Sequence, residues 1–483
     1  MKVKCLIGAV LSVLCACTPD VQPPIVDSVQ PNDSVPSTDT PAPTYEELFD
    51  IERVSAVRLL MTTDAWNTLL GNFDIDWFND VYVPATFVYE QNGITYTVDS
   101  VGVRLRGNTS RRRPEGVAGE MHNAQSPDWH HAHFQVKFDE YRKKQRFVGC
   151  DRVVLKWFKD DAAYCREIYS YDLFRRFGVW MAPRACYTRL SLCIDSEREA
   201  YFGVYALIEG ISKTFLTQRM GADHWLSNDG NLWKASWGAT LTPESVVDGN
   251  IGISVATLEQ HEDYIYDLKT NKKTGFETAK TQLQTFVTTL NGLKSGSTEL
   301  KAYLETHLAV DQFLRAYAVN VMVGMWDDYW CNNGANYYFY FDTDGKFYFI
   351  PYDYDNTLGT SNVMPNSGTQ DLLNWGSLGS DRMLMRKVMS ITEYKERYKA
   401  YIKELASPDN DYFYTDRSMA RIRAWHAAIE PYVANDTGED MVIADVPAEW
   451  GNCPFYRLLS GNERGGSDGE ANWFRTKITS INF

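Results

Sequence analysis

The sequence predicts an α+β fold with a sheet-rich first half and a mainly helical second half, and three observations predict it. Short runs of alternating apolar residues crowd the chain between about residues 51 and 210. Beyond Gly210 the apolar spacing lengthens to that of helices, interrupted by one hairpin-like segment. The 483 residues are 44% hydrophobic and 14% aromatic, enough apolar material to bury a core for two or three lobes.

The chain begins "MKVKCLIGAVLSVLCACTPD". Lys2 and Lys4 precede an apolar run too short to span a bilayer as a mature helix, the pattern of an export signal. Its end, Leu14-Cys15-Ala16-Cys17, is similar to a bacterial lipobox, so residues 1–17 read as a lipoprotein signal peptide and Cys17 as the lipid anchor. Plain secretion with cleavage at a small residue is the alternative. Thr18 leaves no aspartate after the anchor, which favours an outer-membrane location, periplasmic or surface facing. Residues 18–44 are rich in Pro, Ser, Thr and Asp and cannot bury enough apolar area to offset their ordering entropy, so they read as a tether.

The folded part is expected from Tyr45, with a sheet-rich lobe over 45–210 and a helical lobe over 211–483. "IERVSAVRLL" reads as a strand, "TTDAWNTLLGNF" as a capped helix, and "TFVYEQNGITYTVDSVGVRLRG" as a hairpin turning at Asn92-Gly93. "HFQVKFDEY" and "RVVLKW" follow as strands, then a helix from about Asp160 to Phe177, then the antiparallel pair "ACYTRLSLCI" and "EAYFGVYALIE". This makes one helix packed on a mainly antiparallel sheet. In the second lobe, "FETAKTQLQTFVTTLNGLKSG", "TELKAYLETH" and "AVDQFLRAYAVNVMVGM" are helices, and residues 326–359 carry an inserted hairpin. A cleft between the lobes is the expected place for a ligand.

A formal net charge of −15 excludes a protein that binds nucleic acid chiefly through its phosphates. Cys150, Cys165, Cys186, Cys193, Cys331 and Cys453 form no CxxC pair or zinc-like spacing, so buried thiols are expected instead of a structural metal site.

The hairpin segment concentrates chemistry. Asp327 and Asp328 follow an apolar helix, Asn336 precedes "YYFYF", and Asp353 and Asp355 follow "FYFIP". Antiparallel pairing places the start of the first strand beside the end of the second. An amide oxygen and carboxylates gathered there are hard donors suited to magnesium or a similar cation, with an Asx-turn at each strand end as the alternative. In the first lobe, Arg104, Arg106 and Gly107 end a strand where backbone amides and an arginine are suited to phosphate oxygens. Arg111, Arg112 and Arg113 read as a solvated loop or a docking patch for acidic groups. Lys137 in "FQVKF" lies mid-strand, with Glu167 on the next helix as its expected ion-pair partner, and Lys156 in "VVLKW" is the competing lysine.

Taken together, "RLRGNTS", "FQVKF", "REIYSYDLFRRFGVWMAPRACYTRL", "YFGVYALIEGI", "GNLWK", "WDDYW" with "NYYFY", and "FIPYDYDNTLG" resemble the CotH kinase family in order and spacing over roughly residues 50 to 360. The resemblance implies a divergent two-lobed, protein-kinase-like fold that binds ATP and Mg2+ or Mn2+ and phosphorylates Ser or Thr of an exported protein. It implies Asp327 as the catalytic aspartate with Asp328 as second choice, and Asn336, Asp353 and Asp355 as metal ligands. Lys137 would hold the phosphates with Glu167 and Arg106, and Glu209 would fall in the hinge. Tyr352 stands where many members have tryptophan, and no GxGxxG, HRD or DFG motif is present. The competing reading is a non-catalytic envelope protein using the same cleft for a glycan, peptide or nucleotide.

Overall fold

Seven strands of the first half close on themselves. The computed structural model describes residues 43–159, 161, 163–361, 363–364, 367–377, 381–439 and 473–483. The expected signal peptide, Cys17, nearly all of the tether, and Cys453 lie outside the described residues. The first half contains α1 (Tyr45–Leu48), β1 (Ser55–Met61), α2 (Thr63–Ile75), β2 (Val83–Gln91), β3 (Ile94–Arg106), β4 (His133–Lys137), β5 (Arg152–Lys156), α3 (Arg166–Arg176), β6 (Ala185–Ile194) and β7 (Ala200–Glu209). Strand order is β1-β2-β3-β4-β5-β7-β6, and β1 pairs antiparallel with β2 and parallel with β6, which closes the barrel. The sequence predicts a mainly antiparallel sheet, but its closure into a barrel was not foreseen. Period-two alternation tells which face of a strand is buried but not which distant strand it pairs with.

Alternate residues fill the barrel interior: Val57, Leu59, Phe87, Val103, Phe134, Val136, Val153, Leu155 and Leu207 all belong to one buried cluster. Their neighbours in sequence, Arg104, Arg106, Gln135, Lys137, Arg152 and Lys156, therefore point outward. The β2–β3 turn forms as expected, because Asn92 (φ 55°) and Gly93 (φ 75°) both adopt the left-handed conformation a two-residue type I′ turn needs. Helix α3 starts at Arg166, later than expected. Asp161 is the reason: its carboxylate accepts the N–H groups of Ala163, Cys165 and Arg166 at 3.1, 2.8 and 2.7 Å, holding the preceding residues in a turn.

The second half contains α4 (Lys213–Thr217), β8 (Asn231–Ala235), β9 (Ile251–Gly252), β10 (Val255–Ala256), β11 (His261–Glu262), β12 (Tyr266–Leu268), α5 (Phe276–Gly292), α6 (Thr298–His307), α7 (Val310–Val323), β13 (Tyr337–Phe341), β14 (Phe347–Pro351), α8 (Met383–Met389), α9 (Thr392–Ala406), α10 (Thr415–Ile429) and α11 (Trp473–Thr479). The expected hairpin is the edge of a larger sheet, ordered β14-β13-β8-β12-β9. Every residue of β13 and β14 is buried, and rings stack across the pair, Tyr337 on Phe349 at 4.9 Å and Phe339 on Phe347 at 5.1 Å. Gly324 ends α7 in the left-handed conformation at φ 70°, turning the chain directly into Trp326 and Asp327.

The structure is a mixed α+β architecture with the closed barrel in its first half. Cys150, Cys186, Cys193 and Cys331 are free thiols. Among the described residues no helix is long and apolar enough to cross a membrane.

Buried His426 of α10 holds the chain ahead of α3 through Nε2 and the Ala163 carbonyl at 2.7 Å. Burial depresses its pKa to about 4, against a smaller opposing effect of that hydrogen bond. The folded state thus binds fewer protons than the unfolded chain, and stability should fall as pH drops from about 6.5 to 4. Urea unfolding across that window should show the fall in the native protein and a shallower one in His426→Gln.

Candidate functional site

Strand β5 ends on Lys156, and the outward phase of the barrel aims its side chain at the second sheet. The ammonium meets three carboxylates: Asp353 Oδ1 at 2.5 Å, Glu167 Oε2 at 2.8 Å and Asp355 Oδ2 at 2.9 Å. Glu167 lies in the first turn of α3, which the Asp161 turn and the Arg166 Nε bond to the Thr357 carbonyl (3.0 Å) fix against the loop after β14. Asp353 has φ 63°, a left-handed conformation an aspartate tolerates, and its N–H donates to the Tyr171 hydroxyl at 3.1 Å.

Charge in this cluster is unbalanced, since one cation faces three acids. Burial pulls the Lys156 pKa down, yet the carboxylates of Asp353, Asp355 and Glu167 hold it well above the ordinary value. Burial raises Asp355 to about 8, with Asp353 and Glu167 adding to the rise and Lys156 opposing it. Glu167 is raised by burial in the same way. Asp353 is resisted by burial but ends below its usual value because Lys156 dominates.

Asp327 and Asn336 form the adjoining corner. Asp327 Oδ1 accepts the side-chain amides of Asn332 (3.1 Å) and Asn333 (3.0 Å), and Asn336 Nδ2 donates to the Asp327 carbonyl (2.7 Å) and to Oδ2 (3.2 Å). With Nδ2 so committed, the amide oxygen is what Asn336 has to offer a cation. Burial raises the Asp327 carboxyl, opposed by these amides and reinforced by the charge of Asp353, which places the two aspartates in one electrostatic neighbourhood. Arg106 reaches from the end of β3 to donate to the Tyr352 hydroxyl, and Asp353 adds to the charge that keeps it a cation.

Other expected residues are placed elsewhere. Lys137 pairs with Glu140 at 2.5 Å, not with Glu167, because Lys137 lies opposite Arg152 at the far end of the β4–β5 pair while Lys156 lies at the near end. Asp328 is buried and its Oδ1 accepts the N–H groups of Trp330 (3.1 Å) and Cys331 (2.9 Å), an Asx-turn. Burial raises its carboxyl to about 7. Glu209 ends β7, where the chain leaves the barrel, and its carboxylate is already engaged: Arg219 grips both oxygens at 2.7 and 2.5 Å, and Tyr45 and the Arg184 N–H add further bonds. Replacing Arg219 by Met should leave Glu209 buried and unpaired and cost about 3–5 kcal/mol in a denaturant unfolding measurement.

The arginine triplet is not a solvated patch. Arg111 pairs with Asp80 at 3.1 Å, Arg112 with Glu439 at 2.5 Å, and buried Arg113 with Asp74 at 3.0 Å. The residue the reading of Lys137 displaced is Lys156. Its signal was present in "VVLK", a strand ending in lysine that is followed by a helix opening on glutamate.

The cavity at Lys156, lined also by Ser110, His133, Phe158, Glu167 and Asp355, holds about 20 Å³, room for about one water. A larger cavity of about 720 Å³ lies between α5, α6 and the β13–β14 tip, near Phe286, Tyr303 and His307, away from the acid–lysine cluster. The chemistry singles out the smaller one. Hard oxygen donors in excess of the local positive charge fit a divalent cation in kind. Among the described residues, however, no group of three or more His, Cys, Asp or Glu side chains is arranged to hold a metal ion, and Lys156 occupies the point where three acids converge.

A family model described as CotH kinase protein matches residues 103–452. No curated protein matches the chain.

Proposed function

Since this chain belongs to the CotH kinase family, we propose that it is an atypical protein kinase that moves the γ-phosphoryl group of ATP to a Ser or Thr hydroxyl of an exported protein. The observation that carries the reading is the ammonium of Lys156 held between a strand and a helix, 2.8 Å from Glu167 and 2.5 Å from Asp353. Phosphoryl transfer asks a protein mainly for positioning and charge stabilisation, and a strand lysine paired with a helix glutamate is a recurring kinase part.

In this reading the barrel serves as the first lobe of a kinase-like pair and the β8–β14 sheet with its helices as the second. Lys156 and Arg106 position phosphate oxygens, and Glu167 fixes the Lys156 rotamer. Asp327 orients the acceptor hydroxyl and receives its proton, with its carboxylate aimed by Asn332, Asn333 and Asn336. Asp353, Asp355 and the Asn336 oxygen would hold Mg2+ or Mn2+, which supplies charge neutralisation at the transferred group. Export through residues 1–17 and anchoring at Cys17 complete the proposal and put the acceptor in the cell envelope, and the net charge of −15 argues against a nucleic-acid partner.

One observation favours a non-catalytic second reading, a binding protein using the same cleft. A cavity of about 20 Å³ admits no nucleotide until its walls part, and Lys156 is already fully engaged by acids. Titration with Mg-ATP and Mn-ATP separates the two. The kinase reading expects a rise in melting temperature that saturates with nucleotide, and label transferred from γ-labelled ATP to a Ser-rich protein. No thermal shift at millimolar ATP would leave the binding reading.

A further inference from the structure

Among the described residues Trp237 is the most exposed of the large apolar side chains, 74% accessible, although Ala235 and Ala239 on either side of it are buried. Its loop is not loose. The Ser236 N–H donates to the Ile265 carbonyl (2.8 Å), the Gly238 N–H to the Asn333 carbonyl (2.8 Å), and the Tyr337 hydroxyl to the Ala239 carbonyl (2.6 Å). Gly334 packs on the same loop, where a Cβ would meet Thr240 and Ala239 at 3.3–3.4 Å. An indole in water on a pinned backbone is a contact surface in want of a partner.

The pin leads to the candidate base. Asn333 donates its side-chain amide to Asp327 Oδ1 at 3.0 Å while its carbonyl accepts the N–H of Gly238. A single residue therefore joins the carboxylate to the Trp237 loop. One side chain and two hydrogen bonds, of 3.0 and 2.8 Å, link the carboxylate to the loop backbone, a path on the order of the rise of about three residues of extended polypeptide.

We propose that Trp237 is the acceptor-recognition residue: an aromatic or large apolar side chain of the substrate polypeptide, about three residues from the hydroxyl presented to Asp327, stacks on its indole. This rests on the kinase reading above. The acceptor class it names is an extended segment of Ser or Thr accompanied at that distance by an apolar ring or chain. Trp237 touches substrate away from the reacting atoms, so it governs acceptor binding and leaves nucleotide binding alone.

The test uses the full chain labelled with 5-fluorotryptophan, with Trp237→Phe assigning the Trp237 resonance. Two serine peptides are added, identical except for phenylalanine or alanine three residues from the serine on each side. The phenylalanine peptide is expected to shift the Trp237 resonance and the alanine peptide to leave it in place. In transfer assays, Trp237→Ala should raise KM for the phenylalanine peptide about tenfold, to the value for the alanine peptide, with kcat and the Mg-ATP thermal shift unchanged. Trp237→Phe should restore most of the difference. A Trp237 resonance indifferent to both peptides, or one that moves only with a neutral oligosaccharide, overturns the proposal, as does undiminished discrimination in Trp237→Ala. A resonance shift without phosphate transfer to any peptide refutes the kinase reading while upholding Trp237 as a peptide contact.

Discussion

Lys156→Met is expected to abolish phosphate transfer, by about 10³-fold or more, and to destabilise the protein at the same time. Both effects come from one side chain. Its ammonium is the shared partner of Glu167, Asp353 and Asp355, and removing one member of a buried ionic network costs about 3–5 kcal/mol. The loss has a pH signature. Without the lysine, the three folded-state carboxyls titrate above their unfolded values, so they bind protons more readily in the folded state. Stability of the variant is then retained below about pH 4 and lost progressively as pH rises through the raised values. In the native protein, the raised pKa of Lys156 works in the same sense at the alkaline end: its contribution is full below about pH 10.4 and is lost above the folded-state value. Urea unfolding at pH 5 and pH 8, run beside the transfer assay, checks both parts. Lys137→Ala is the control. Its pairing with Glu140 is a partly exposed i,i+3 contact, so stability should change by less than about 1 kcal/mol and transfer should persist.

Asp353→Asn is expected to separate the two properties. Transfer should fall by about 10³-fold, because a carboxylate proposed to grip the cation becomes a neutral amide. Stability at pH 8 should fall only modestly, since a carboxyl held below its usual range favours the fold while ionised. The amide oxygen still accepts from Lys156, while one of three mutually repelling acids is gone. The Asp355 carboxyl, now at about 8 partly through the charge of Asp353, should move back toward the ordinary carboxylate range. A loss of stability in Asp353→Asn as large as that of Lys156→Met would make the residue a structural element of the cluster and count against the metal role. Circular dichroism confirms that the fold is intact, and thermal unfolding at pH 6 and pH 8 reads the stability.

These two variants also bear on the small cavity. An acid cluster that closes on its own lysine resembles a site holding its charges in reserve, and the same three contacts that shut the cavity are those a phosphate group would replace. A nucleotide that entered would have to offer Lys156 better oxygens than Asp353 and Asp355 already do. That competition explains why a saturating thermal shift with Mg-ATP is the decisive observation for the proposed function.

Much of this was legible in the sequence, and what was legible is local. The Asn92-Gly93 turn, the strand alternation and the Thr62 cap of α2 depend on a few consecutive residues, whose sterics and hydrogen bonds act over one turn or one pleat. The pairing that sets the start of β13, just after Asn336, beside the end of β14, just before Asp353, was also legible, since a hairpin returns its ends to one place. What only the tertiary structure decided is which distant groups meet. Lys137 and Lys156 both point outward from the barrel by the same period-two rule, and the register of β5 alone determines that Lys156, not Lys137, reaches Glu167. Closure of β1 on β6 and the burial of Glu209 under Arg219 were hidden for the same reason. Alternation and propensity are properties of a segment, whereas which side chains of different segments meet is set by the packing of the whole chain.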